Sequence, residues 1–132
     1  ARCLTSAVSE VLIEEDAKLY LGRLQEESKR SFHIGGIFAE VGRNACLTTN
    51  VVTLGGALVR NDLVVNLNNE GAKARLDGLY VVGGHQHVDN HTQVSHNQPG
   101  TTSHECYKGI LKGHARAVFL FQFNAPLKRA RA

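Results

Sequence analysis

Small residues recur along this chain at a nearly fixed interval, each opening a short run of alternating apolar and polar residues. Ala17, Ala45, Ala72, Thr101 and Ala115 follow one another at intervals of 28, 27, 29 and 14, so that the last step is half of the others. Each follows a polar or glycine corner and leads into a run such as Arg43 to Leu47, Glu70 to Leu76, Pro99 to Ser103 or Gly113 to Phe119. The pair Gly55-Gly56 returns as Gly83-Gly84 at the same interval of 28, although Gly35-Gly36 precedes Gly55-Gly56 by only 20. A period of this length is the signature of a stacked repeat, because one unit cannot bury its apolar face until a neighbour covers it.

The runs carry the period of a strand. Ala17, Leu19 and Leu21 would share one face of a strand, and Lys18 and Tyr20 the other. No stretch of ten or more residues shows a helical period. Only Pro99 and Pro126 interrupt the supply of backbone donors, so almost every residue can join a ladder. Each period would hold several short strands joined by tight corners, with glycine supplying the positive φ that corners require. The pattern predicts an all-β chain and fits a β-helix and a sandwich or jelly roll of similar strand spacing about equally.

Composition narrows the functional classes. With 132 residues and 42% hydrophobic content, the chain can bury a single core without disulfides. It has no long apolar run, and Glu14, Glu15, Asp16, Glu26 and Glu27 crowd its first thirty positions, so neither a membrane span nor a secretory signal is expected. Cys3, Cys46 and Cys106 are odd in number and far apart, which argues against a disulfide framework or structural zinc and for a reducing compartment, the cytoplasm. The net charge of +3 owes much to Lys128, Arg129 and Arg131, read as a solvated end. With no basic stripe and only five Phe and three Tyr scattered along the chain, no nucleic-acid partner is expected.

One segment could carry chemistry. On a strand, His85, His87, Asp89 and His91 would share a face, a possible ligand row for zinc or iron. The opposite face holds Gln86, Val88, Asn90, Thr92 and Val94, and only it offers apolar residues to a core, so the histidines are predicted to point outward. A cupin uses a similar His-x-His, but here His91 stands where its Glu would be, and the Pro-x-Gly motif is missing. Glu14-Glu15 and Glu26-Glu27 read as solvated edges. Cys106, two positions after His104, has the parity of Ile110 and is expected in the core, where a thiol is inert. No serine-nucleophile elbow, phosphate-binding loop or HExxH helix is present. Catalytic, cofactor-binding and metal residues are therefore all assigned as none, and no cofactor is expected.

Three stretches carry a resemblance to a known family. They are Arg60-Asn61-Asp62-Leu63 leading to Glu70-Gly71-Ala72, then Gln86-His87-Val88-Asp89-Asn90-His91-Thr92, then Tyr107-Lys108-Gly109-Ile110 with Ala115-Arg116-Ala117-Val118-Phe119. Together they resemble the middle of the SufD branch of the SufB/SufD family, and residues 7 to 57 look like the preceding coils. The resemblance implies a right-handed parallel β-helix. It also implies a non-catalytic scaffold subunit of iron–sulfur cluster assembly, not an enzyme, with SufB-like and SufC-like partners, SufC being the ATPase. Position 85 varies in the family, which weakens His85 as a ligand.

After Phe119 the chain departs from the family, which continues with Asn-Gly and further coils. Residues 1–119 are accordingly read as a β-helix core segment and 120–132 as an atypical basic C-terminal tail. The coil bearing Cys-Ser-His-Gly and the helices that hold SufC have no counterpart, so no functional residue is carried over. A cupin-like mononuclear metalloenzyme using His85, His87 and His91 stands as the alternative. Self-association through exposed strand edges near Ala115 to Phe119 is also expected, with Phe121 and Phe123 folding back as a partial cap and Pro126 and the basic tail discouraging strand addition.

Overall fold

The computed structural model describes residues 3–125. Its elements are β1 (Leu4–Ile13), β2 (Lys18–Gln25), β3 (Phe32–Val41), β4 (Cys46–Thr53), β5 (Leu58–Leu67), β6 (Lys73–Val82), β7 (His87–His96), β8 (Thr102–Leu111) and β9 (Arg116–Asn124). The odd strands form one sheet in the order β1-β3-β5-β7-β9, and the even strands a second in the order β2-β4-β6-β8. Every pairing is parallel. The chain lays one strand in each sheet per coil and climbs about four turns. This is the predicted parallel β-helix, and the pairing rules out the sandwich and jelly roll, whose sheets are antiparallel.

The register explains the period. In the odd sheet Leu4 lies on Phe32, Phe32 on Leu58, Leu58 on His87 and His87 on Arg116, so each ladder step spans one full coil. In the even sheet Lys18, Cys46, Lys73 and Thr102 follow one another in the same way. Ala17, Ala45, Ala72 and Thr101 each immediately precede an even strand, whereas Ala115 precedes β9, so the half-period step is a move from one sheet to the other. Gly35 and Gly36 lie inside β3 and not at a corner, which is why they break the interval.

Corner geometry repeats with the same step. Asp16, Asn44, Gly71 and Gly100, each directly before the small residue, have φ of 63°, 54°, 80° and 74°. Glycine reaches this left-handed region without strain, and short Asx side chains tolerate it. The turns close through Ala17 N–H to Glu14 C=O, Ala45 to Gly42 and Ala72 to Asn69, at 3.1, 3.1 and 3.2 Å. Successive corners also bond to each other, Asp16 N–H to Arg43 C=O at 2.9 Å and Asn44 N–H to Glu70 C=O at 3.2 Å. Ala45 and Ala72 are buried under these turns.

Inward residues stack coil on coil. Val11, Ala39, Val65 and Val94 form one column, Ile13, Val41 and Leu67 a second, and Leu19, Leu47 and Ala74 a third in the facing sheet. Within the interior coils these side chains are excluded from water. Strand β9 runs through Phe119 to Asn124, so Phe121 and Phe123 continue the strand and do not fold back. Phe119, Phe121 and Phe123 sit over Asn90, Thr92 and Val94 with interior parity, yet are 39%, 43% and 55% exposed because no described strand lies beyond them. Pro126, Lys128, Arg129 and Arg131 lie outside the described residues.

The placement of Cys106 needs correction. Strand β8 pairs Glu105 with Leu76, Cys106 with Asp77 and Tyr107 with Gly78. Interior parity therefore belongs to Glu105 and Tyr107, and Cys106 lies half-buried on the outer face beside Asp77. Gly78 makes this possible, since a Cβ there would collide with the Tyr107 ring. Ile110 shares the outer face and is 51% exposed.

A Cβ at Gly71 would meet Asn44 Oδ1 while the backbone sits in the left-handed region. Gly71→Ala is expected to cost about 1–3 kcal/mol in urea unfolding, whereas Asn44→Gly, at the equivalent corner, should stay within about 0.5 kcal/mol.

Candidate functional site

The histidine row divides. His87, Asp89 and His91 share the outer face of β7, with Gln86, Val88, Asn90, Thr92 and Val94 pointing inward as the alternation predicted. His85 instead lies in the turn before β7, exposed, its ring stacked on His114 one coil on, with centroids 5.2 Å apart. His87 Nε2 is engaged by Asp89 Oδ1 at 2.8 Å. The three histidines are thus not brought together, and among the described residues no group of three or more His, Cys, Asp or Glu is placed to hold a metal ion.

Some of the interior polar residues are paired, while Gln25 Nε2, His33 Nε2 and Thr49 Oγ1 are buried without a hydrogen-bond partner among the described residues. Asn61 Nδ2 donates to Asn90 Oδ1 at 3.0 Å and lies 3.2 Å from Thr53 Oγ1. Asn61 and Asn90 are register partners in β5 and β7, so this amide ladder is the coil-to-coil step written in side chains. Gln25 Oε1 accepts from Gly55 N–H, and Gln86 Oε1 from Gly83 N–H while its Nε2 donates to Gly56 C=O, pinning corners from within. Such pairing matters because a buried amide left unsatisfied costs about 1–3 kcal/mol.

The two ends of the coil stack carry charge. At the β1–β2 end, Glu27 accepts from Thr5 Oγ1 at 2.9 Å and meets His33 Nδ1 at 2.6 Å, while Arg23 Nη2 donates to Ser9 Oγ at 3.2 Å. At the β8–β9 end, Glu105 Oε1 accepts from Thr92 Oγ1 at 2.5 Å. Burial, the larger effect, pushes the Glu105 carboxyl up, and the Thr92 hydrogen bond pulls it down. Tyr107 is pushed up by burial first, then by the carboxylates of Glu105 and Asp77. The sequence placed Gln86, Asn90 and Thr92 on the inward face, but it read Glu27 as a solvated edge, whereas Glu27 is half-buried against His33. The Asn61–Asn90 pair was open to detection by laying the chain out in rows one period long, whereas the Glu27–His33 pair carries no such signal.

The outer face of the odd sheet is apolar at its β1 end. Leu4, Phe32 and Leu58 form one outward column, and Val8, Leu12, Ile34 and Phe38 lie beside it, with Leu4, Val8 and Leu12 at 64%, 66% and 71% exposure. Contiguous apolar surface of this kind marks a contact site more often than free surface. A groove of about 300 Å³ continues the face, with Phe38, Val64 and Leu120 along it and Arg60, Asp62 and His91 among its polar residues. Arg60 Nε pairs with Asp62 at 3.3 Å there.

Residues 1–124 match the family described as SUF system FeS cluster assembly, SufBD core domain. The chain belongs to the SufB/SufD family. Among SufBD relatives, the iron–sulfur cluster assembly SufBD family protein of Mycobacterium leprae is 33% identical over 79% of the chain and 26% of its own length. That of Synechocystis is 30% identical over 85% of the chain and 25% of its own length. Iron–sulfur cluster assembly protein SufD of Escherichia coli is 27% identical over 90% of the chain and 28% of its own length. The chain spans about a quarter of the length of these relatives. No solved structure matches it. The three stretches that carried the SufBD resemblance fall on β5 and the corner after it, on β7, and on β8 and β9.

Two measurements probe these assignments. His87→Ala removes only a surface pair and should change stability by no more than about 0.5 kcal/mol. For Glu105, the folded protein holds the proton more tightly than the unfolded chain, so the carboxyl's contribution is complete below its ordinary value of 4.5 and is lost as pH rises through the folded value. Glu105→Gln is therefore expected to be more stable than the parent at neutral pH, with the advantage vanishing towards acid. Urea midpoints across that range check both the sign and the trend.

Proposed function

We propose that the chain is a non-catalytic scaffold segment of the SUF system, of the SufD kind, acting in the cytoplasm with SufB-like and SufC-like subunits. The iron–sulfur cluster is cargo of the assembled machinery, and no resident cofactor or catalytic residue is assigned to this chain. The observation that carries the reading is the family match over residues 1–124, together with an outer face whose large apolar side chains suit protein contact. The 27% identity to SufD across 90% of the chain supports the SufD assignment. In this reading the parallel β-helix is a rigid presenting surface. Its coils are cross-tied by ladders in both sheets, so contacts made on one coil are held at fixed spacing from those on the next.

Coexpression of the tagged 132-residue chain with the SufB-like and SufC-like subunits of its own source tests the proposal. The SufB-like subunit is expected to co-purify, and Val8→Glu with Leu12→Glu, both fully on the outer face, to release it while β-sheet circular dichroism is retained. Metal analysis of protein purified without chelator should find much less than one equivalent of iron or zinc. One equivalent of metal, lost on His87→Ala or His91→Ala, would replace the scaffold with the metalloenzyme.

A further inference from the structure

One buried side chain of the interior is satisfied on one side only. His33, on β3, is 7% exposed, and its Nδ1 faces Glu27 Oε1 at 2.6 Å. The Glu27 carboxylate is itself fixed by the Thr5 hydroxyl, so in the neutral ring the proton sits on Nδ1 and Nε2 is left as an acceptor. That Nε2 is buried and has no hydrogen-bond partner among the described residues. A buried polar atom of this kind calls for one.

Gly35, two positions on, shares the inward face of β3. A Cβ there would lie 2.8 Å from Arg23 Nη1, 2.9 Å from His33 Nε2 and 3.5 Å from Asn61 Oδ1. Polar atoms from β2, β3 and β5, in three successive coils, thus converge on an inward place that carries no side chain. Their roles are complementary. Arg23 Nη1 can only donate, whereas His33 Nε2 and Asn61 Oδ1 accept, because Asn61 directs its Nδ2 to Thr53 and Asn90. We propose that this cradle binds one water molecule, which accepts from Arg23 Nη1 and donates to His33 Nε2 and Asn61 Oδ1. Buried waters typically make about three hydrogen bonds to otherwise unsatisfied groups, and this set offers one donor and two acceptors. A small anion would meet the Asn61 carbonyl oxygen and the His33 lone pair, and a metal cation would meet the guanidinium. Water alone suits all three.

The water completes a polar chain through the interior. Thr5 on β1 donates to Glu27, Glu27 holds His33 on β3, the water joins His33 to Asn61 on β5, and Asn61 donates to Asn90 on β7. Four strands of the odd sheet are then tied by side chains as well as by their backbone ladders, and Arg23, which also donates to Ser9, brings in β2. Hydrogen bonds linked in this way polarise one another, so the chain holds the coils in register more firmly than its separate pairs would. Glycine at position 35 follows from the same site, since a methyl there would take the water's place and leave His33 Nε2 unpaired. The cradle is independent of the outer faces on which the scaffold reading draws.

Crystallography and water-selective NMR of the 132-residue chain test the site. Density for one water is expected within hydrogen-bond distance of Arg23 Nη1, His33 Nε2 and Asn61 Oδ1. In solution, cross-peaks at the water frequency should reach the His33 ring protons and the Gly35 Hα, and the His33 nitrogens should report a proton on Nδ1 and none on Nε2. Gly35→Ala is expected to abolish those cross-peaks while β-sheet circular dichroism is retained. Gly22→Ala, on the outer face of β2 with nothing within 4 Å of the added methyl, should keep them. Should Gly35→Ala fail to fold, Arg23→Met removes the cradle's donor, keeps its apolar stem and should lose the cross-peaks in the same way. A direct Arg23–His33 hydrogen bond without water density, an anomalous bromide peak in the cradle of bromide-soaked crystals, a proton on His33 Nε2, or water cross-peaks that persist in Gly35→Ala overturns the proposal.

Discussion

The parallel backbone ladder between successive coils is the constraint on which everything else here depends. A strand in this fold has no partner within its own coil, so its N–H and C=O groups are satisfied only by the coil before and the coil after. In-register stacking then follows. A slip by a single position would turn each inward column out to solvent, exposing Val65, Leu67 and Leu47, and burying the charged residues that alternate with them. The near-constant coil length is the chain's answer to that requirement, and its small variations are absorbed in the corners while the ladders stay continuous.

The same stacking decides which polar groups can enter the interior. Asn61 is tolerated there because Asn90 occupies the equivalent place one coil on, and Gln25 and Gln86 because corner amides lie within their reach. Where the stack has no further coil among the described residues, this logic lapses. Glu105 and Arg23 are interior in parity, and their observed partners are the hydroxyls of Thr92 and Ser9.

Membership of the SufB/SufD family accords with this architecture. A stack of cross-tied coils makes a stiff body with extended lateral faces, and the apolar outer band around Leu4, Phe32 and Leu58 lies on one of them. Among the described residues, side chains suited to chemistry are spread over both outer faces. The His87–Asp89 pair lies on the outer face of one sheet and Cys106 on the outer face of the other.

The sequence by itself determined the repeat. Residues Ala17, Ala45, Ala72 and Thr101 mark one corner of each coil because a left-handed residue followed by a small one is a local demand, legible without any partner. It also determined the faces of β7, where Val88 and Val94 alternate with His87, Asp89 and His91 and only one face is fit for a core. Only the tertiary structure decided the parity of β8, whose Thr-Ser-His-Glu-Cys-Tyr-Lys-Gly-Ile-Leu lacks an apolar alternation of its own. Its register on β6, and the room that Gly78 leaves for Tyr107, turned Cys106 outward. The pairing of Glu27 with His33 likewise appears only in the structure, and His85 is parted from His87 by the turn that Gln86 N–H closes on Gly83 C=O. Local alternation specifies a face only where one face is plainly apolar; elsewhere the neighbouring coil chooses, through hydrogen bonds whose partners lie a full period away.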